Sequence, residues 1–124
     1  MNWKLLYEYT LKNGNPKWGK NCEIENWIPE PFISLYKEYD PISVELSYDF
    51  NSLNMIPYKE LSSTLVEYEL DCDSLVFATC NGDPYFVNNS KVYTFMHGIE
   101  KPSWELLSES VEAFFIAIIN GETK

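Results

Sequence analysis

At 124 residues the chain fits one domain, and its 45% hydrophobic and 16% aromatic content excludes an intrinsically disordered polymer. Its 19 acidic residues stand against 9 basic ones, all of them lysine, for a formal net charge of -10. A chain without arginine lacks the bidentate grip on phosphate and guanine, and its charge repels a polyanion, which argues against direct DNA or RNA binding.

The N-terminal run places Trp3, Leu6, Tyr9 and Leu5 along one side of a short helix that ends near Asn13-Gly14. NGNPKWGKN, from Asn13 to Asn21, reads as a loop, and Trp18 within it is the tryptophan expected to be most exposed. In PEPFISLYKEY, Phe32, Leu35, Tyr36 and Tyr39 recur at helical spacing. Asp40-Pro41 stops that helix, because a residue before proline disfavours helical backbone. ISVELSYDF alternates apolar and polar residues from Ile42 to Phe50, the pattern of one half-buried strand. LNMIPY, from Leu53 to Tyr58, reads as another strand, and Pro57 opens a helical turn through YKELSSTLVEY.

SLVFATC is a buried strand. Asn81-Gly82-Asp83-Pro84 is a turn, YFV a strand, Asn88-Asn89-Ser90 a tight turn and KVYTFM a return strand, which together make a hairpin. LLSESVEAFFIAIINGETK closes the chain with a helix capped by Ser108 or Ser110, buried through Val111, Phe114, Phe115, Ile118 and Ile119 and ended by Gly121. Helices, then strands, then a helix give an α+β class with a single, mainly antiparallel sheet flanked by N-terminal and C-terminal helices, spanning residues 1–124 as one domain.

Cys22, Cys72 and Cys80 form an odd, irregularly spaced set, and MNWKLLYEYTLKNG has no long apolar run to serve as a secretory signal. AFFIAII is far shorter than the about 20 residues of a membrane span. The expectation is a cytoplasmic chain with reduced thiols and no membrane partner.

WIPEPFISLYKEY, SLVFATCNGDPYFVN, KVYTFMHG and LLSESVEAFFIAI, in that order, resemble the SUKH superfamily, which includes the protein Syd, herpesvirus regulators, a yeast cell-wall synthesis regulator and many bacterial immunity proteins. The resemblance runs from about Asn26 to Ile119; where the family often carries a double glycine after the early helix, this chain has YDPISVEL. It implies one sheet flanked by helices and a role in binding proteins. For bacterial members it implies immunity, in which the protein binds and blocks a cognate toxin domain.

Chemistry finds little purchase beside this. The cysteines and His97, the one histidine, offer no close pair of the kind structural zinc prefers. Asp71-Cys72-Asp73 begins like a calcium loop, but Leu75 and Val76 stand where an EF-hand needs an oxygen ligand and a glycine. A Cys80–His97 nucleophile pair meets acidic neighbours, which raise a thiol pKa. No G-x-S-x-G is present, and no pair of carboxylates is singled out for glycosidase work. No catalytic residue, metal ligand or cofactor is assigned.

Asp83 is expected to accept a hydrogen bond within its own turn, and His97 before Gly98 to end a strand; contact with a partner is the second role of each. EYELDCD sets Glu67, Glu69, Asp71 and Asp73 at alternating positions, on one face if the segment is extended. It is then either a solvated loop or a docking face for a basic protein. Tyr85 and Trp104 join the partner-binding candidates because aromatics dominate binding hot spots, although core packing is the first reading of Trp104. The expected function is a non-catalytic protein-binding domain of the immunity type, with a basic toxin domain as partner. The alternatives are an interaction module linked to cell-wall synthesis and a small enzyme.

Overall fold

Turn chemistry and alternation build most of the sheet. In the computed structural model, which describes residues 1–122, the chain runs α1 (Trp3–Asn13), β1 (Lys17–Gly19), α2 (Phe32–Glu38), β2 (Asp40–Ser43), β3 (Glu45–Tyr48), β4 (Asn51–Met55), a single 3₁₀ turn (Tyr58–Glu60), α3 (Leu61–Glu67), β5 (Ser74–Cys80), β6 (Asp83–Asn88), β7 (Lys91–Thr94), β8 (Glu105–Ser108) and α4 (Val111–Ile119). Strands β3 to β8 lie side by side in sequence order, each antiparallel to the next. This is an α+β fold with an antiparallel sheet flanked by helices. Among the described residues no helix is long and apolar enough to cross a membrane.

Three of the sheet's hairpins close through two-residue turns in which both residues have positive φ: Asp49-Phe50 (50° and 65°), Asn81-Gly82 (51° and 89°) and Asn89-Ser90 (51° and 68°). This backbone matches the right-handed twist of the strands it joins. Asn and Gly supply it readily, and Phe50 does not.

One face of the sheet carries the main core. Phe77 of β5 is fully buried, with ring centroids 5.4 Å from Phe32 of α2, 5.6 Å from Phe114 and 5.3 Å from Phe115 of α4. Trp3 of α1 closes the ring of aromatics against Phe32 and Phe115 and donates its indole N–H to the Pro31 carbonyl. The other face holds Phe86, whose strand neighbour Tyr85 points to α4 and packs on Phe114. α3 packs against β5, and Tyr68 just beyond α3 meets Phe95, which packs on Phe86. Coverage on both faces is why SLVFA is buried without alternation. Ser110 caps α4 by accepting from the Ala113 N–H, and Asn2 caps α1 through Lys4.

Four expectations are corrected. The sheet is not single, because β1 and β2 form a separate two-stranded ladder. The loop from Asn13 to Asn21 contains β1, and Trp18 is half-buried, its N–H donating to Thr10 Oγ1. ISVELSYDF is two strands: Ser43 pairs with Lys17, Glu45 with Asn54, and Val44 is the buried joint between them. Its ends depart from the alternation, since Ile42 is exposed and Phe50 sits in a turn at 89% exposure. KVYTFM leaves the ladder after Thr94, and residues 105–108, ahead of the Ser110 cap, add strand β8 to the edge of the sheet.

Candidate functional site

The β5–β6 hairpin tip, the long connection from Phe95 to Trp104 and the end of α3 meet at one end of the sheet. β5 runs toward that end, where Cys80 pairs with Asp83, and away from Ser74, which pairs with Asn88. Tyr68 Oη donates to the Gly82 carbonyl at 2.7 Å and ties α3 to the tip. Asp83 does not serve its own turn. Its Oδ1 accepts the His97 backbone N–H at 2.9 Å and lies 2.6 Å from His97 Nδ1. The carboxylate thereby holds Nδ1–H as donor and leaves Nε2 as the free edge of a ring that is 55% exposed. The connection is pinned at its start to the hairpin tip, so His97 ends no strand.

Between these elements runs a groove. One part, of about 530 Å³, is lined by Glu67, Tyr68, Glu69, Phe95, His97 and Glu100 among others. It continues into a part of about 400 Å³ bordered by Leu70, Lys101, Pro102 and Trp104. Trp104 is 44% exposed, the rest of it packed on Phe86 and Tyr93 at centroid distances of 4.8 and 5.5 Å. Exposed apolar side chains continue beyond the groove: Met96, Ile99 and Val66 beside it, Leu106 on β8, and Phe50 on the neighbouring hairpin tip, where Asn51 accepts a hydrogen bond from Asn81. Asp49, Glu67, Glu69, Glu100 and Glu105 are interspersed among them and exposed.

Of the partner-binding candidates, Glu67, Glu69, His97 and Trp104 line this groove and Asp83 holds His97. The remaining three lie elsewhere. EYELDCD is not extended: Glu67 ends α3, Glu69 takes φ 57°, and Asp71 accepts from the Asp73 N–H in a turn at the far end of β5. Its four carboxylates therefore share no face. Tyr85 belongs to the α4 side, packed on Tyr48 and Phe114. Burial first, and then Cys80, push its hydroxyl pKa up. The Cys80 thiol is also pushed up, by burial and then by Asp83, which leaves it a poor nucleophile. Among the described residues no three His, Cys, Asp or Glu side chains gather as a metal site.

Sequence reasoning overlooked Tyr68, Phe95, Ile99, Glu100 and Pro102. For all but Tyr68 the signal was available in FMHGIEKPSW, a run with Gly and Pro punctuation that still holds Met96, Ile99 and Trp104. Met96 and Ile99 are exposed there, while Phe95 is buried and Trp104 is partly packed on Phe86.

A second cleft of about 530 Å³ lies between the end of α1 and strands β2 to β4. Asn13, Asn15, Ser43, Ser52 and Asn54 line it with one carboxylate, Glu45, and no aromatic side chain. Ile42, Val44, Leu46 and Met55 also line it, so it offers hydrogen bonding and aliphatic surface without the aromatic anchors found at the first groove.

Two backbone positions at the first site carry expected outcomes. Gly82→Ala puts a Cβ 2.8 Å from His97 Cε1 at φ 89°. The ring cannot move without leaving Asp83, so unfolding in urea should show a loss of about 1–2 kcal/mol, and the His97 ring proton signals should shift. Phe50→Gly should do the reverse. It relieves a left-handed phenylalanine that buries almost nothing, and the same titration should show a gain of about 1 kcal/mol.

No family model matches the chain, and no curated protein or solved structure matches it significantly.

Proposed function

We propose that this chain is a non-catalytic protein-binding domain of the immunity type, which occupies and neutralises a basic toxin domain in the cytoplasm. The observation that carries the reading is the concentration of exposed Phe50, Met96, Ile99 and Trp104 among carboxylates at one end of the sheet. Large apolar side chains in water are costly to leave uncovered, and a patch rimmed by polar groups marks an interaction surface. Phe50 adds a second mark, since strain retained without burial is accounted for by a partner that covers it. The carboxylates steer a cationic protein toward the patch and repel nucleic acid. The resemblance to the SUKH superfamily supplies the toxin as partner.

The test is capture of partners by the tagged chain from its native host, with washes at low and high salt. One dominant basic protein, released by salt, toxic when expressed alone and tolerated alongside this chain, is the expected result. Several weak partners would replace immunity with a scaffold role, and no stoichiometric partner would end the reading.

A small enzyme is the second reading, favoured by one observation: a carboxylate-held imidazole with an exposed edge is the arrangement of a general base. A small molecule that raises the melting temperature of the wild type but not of His97→Gln would move the assignment there.

A further inference from the structure

We propose that the groove between Tyr68-Glu69 and the Phe95–Trp104 connection is a socket for an arginine side chain presented by a protein partner. This rests on the protein-binding reading and specifies what enters first.

The walls of the groove differ in kind. Tyr68, Phe95, Pro102 and Trp104 supply flat apolar surface. Glu67, Glu69 and Glu100 supply negative charge, and Glu69 and Glu100 border both parts of the groove. Lys101 is the one lysine at its edge, so three carboxylates outweigh it. The Asp83–His97 pair adds no net positive charge, because the carboxylate offsets the imidazole in either of its states. The charged groups of the chain's own lysines do not close this site: the one lysine salt bridge among the described residues joins Lys91 to Glu109, away from the groove.

A cation is therefore the complement, and the aromatic walls choose its type. A guanidinium is planar and weakly hydrated. It stacks on an indole while donating in its own plane to carboxylates. An ammonium is a compact, strongly hydrated charge and gives up more to enter the same space. A second copy of this chain is a poor occupant, because the chain has no arginine and would bring a net charge of -10 to an acidic face. Phosphate-bearing ligands meet the same repulsion.

The experiment uses the full chain labelled with ¹⁵N and titrated with the probe acetyl-Gly-Arg-Gly-amide at low salt. The Trp104 indole N–H and the amides of Glu69 and Glu100 should shift together and saturate with a dissociation constant on the order of millimolar, as suits one side chain. The double variant Glu69→Gln/Glu100→Gln should weaken this at least about tenfold, and Trp104→Ala severalfold. Glu69 and Glu100 are exposed, so the double variant keeps the fold even if the tryptophan variant does not. The lysine peptide and spermidine should both bind more weakly than the arginine peptide. Equal binding of all three would overturn the socket in favour of a site that reads charge alone. Shifts centred on Asp71 and Asp73 would overturn it outright.

Failure here separates from failure of the broader reading. A captured partner that binds the double variant with unchanged affinity removes the socket and leaves the protein-binding function standing. Probe binding in the groove with no stoichiometric partner in the host does the opposite.

Discussion

Phe77→Ala is expected to destabilise the fold by about 3–5 kcal/mol, a large share of the roughly 5–15 kcal/mol that holds a domain of this size together. Phe77 is the residue through which the sheet, α2 and α4 share one core. It has no solvent exposure, and its ring meets Phe32, Phe114 and Phe115 at centroid distances between 5.3 and 5.6 Å. Those partners sit on two different helices, α2 and α4, and Phe32 and Phe115 are both also held by Trp3 of α1. The hole cannot close by one side chain swinging in, because each partner is already fixed by others. The cost is then near the upper end for aromatic truncation. Guanidinium unfolding followed by far-ultraviolet dichroism measures it, with Val66→Ala on the exposed side of α3 as the reference, expected within about 0.5 kcal/mol of wild type. A Phe77→Ala loss below about 1.5 kcal/mol would mean that the helices are not anchored through this ring.

The parts of the fold that depend on local chemistry could be read from the chain. FISLYKE and VEAFFIAII carry their helical faces in their spacing, and Asn81-Gly82 and Asn89-Ser90 are turn residues by composition. The parts set by long-range pairing could not. Nothing in ISVELSYDF marks Val44 as a joint between two ladders, since its alternation continues through the bend and the bend is imposed by where β1 and β4 lie. Asp49-Phe50 closes a hairpin with a residue that disfavours the conformation, so turn propensity points elsewhere. ELLS is short and its apolar pair fits either period, so nothing local marks it as a strand; β7 decides it by offering an unpaired edge.

The candidate site divides in the same way. Glu67, Glu69, His97 and Trp104 were legible as polar or aromatic residues outside the core periodicity, yet their meeting is tertiary. The alternation that grouped Glu67 with Asp71 and Asp73 assumed extended backbone. Once α3 ends at Glu67 and Glu69 adopts φ 57°, the chain turns and the carboxylates part. Asp83 was expected to bond locally, as short acids in turns do, but the Asn81-Gly82 turn already satisfies itself by backbone geometry and frees Asp83 for His97, fourteen residues on.

Asp40→Ala is expected to cost about 2–4 kcal/mol although no packing is lost, because Asp40 is a buried carboxylate with specific donors on both oxygens. It is 5% exposed. Oδ1 accepts the Tyr58 backbone N–H at 2.9 Å, and Oδ2 accepts Asn21 Nδ2 at 2.9 Å. Alanine leaves the Tyr58 N–H and one of the two Asn21 amide hydrogens without an acceptor, and hydrogen bonds to a charged group are the costly ones to lose. The loss spreads, since Asn21 and Tyr58 each tie down a further segment: Asn21 also donates to the Tyr36 carbonyl, and Tyr58 Oη accepts the Glu25 N–H. Asp40→Asn should cost about half as much. Its amide oxygen keeps Tyr58, but its NH₂ then faces that of Asn21, which cannot flip without abandoning Tyr36. The pH profile separates this loss from a general loosening. Burial, and secondarily Asp40, push the Tyr36 hydroxyl pKa up. A tyrosine whose folded pKa is raised contributes its stability in full below the unfolded value near 10 and loses it as pH climbs beyond. Wild type should therefore lose about 1.4 kcal/mol per pH unit through Tyr36 above pH 10, in addition to the losses through Tyr48, Tyr68 and Tyr85, whose hydroxyl pKa values burial also pushes up. Because burial is the larger cause, Asp40→Ala should keep that alkaline slope while sitting lower at every pH. A variant whose alkaline slope fell by the Tyr36 share together with the stability would show Tyr36 released from its hydrogen bond to the Ile56 carbonyl and exposed to water, and Asp40 would then be a keystone of α2 packing rather than an acceptor for two donors.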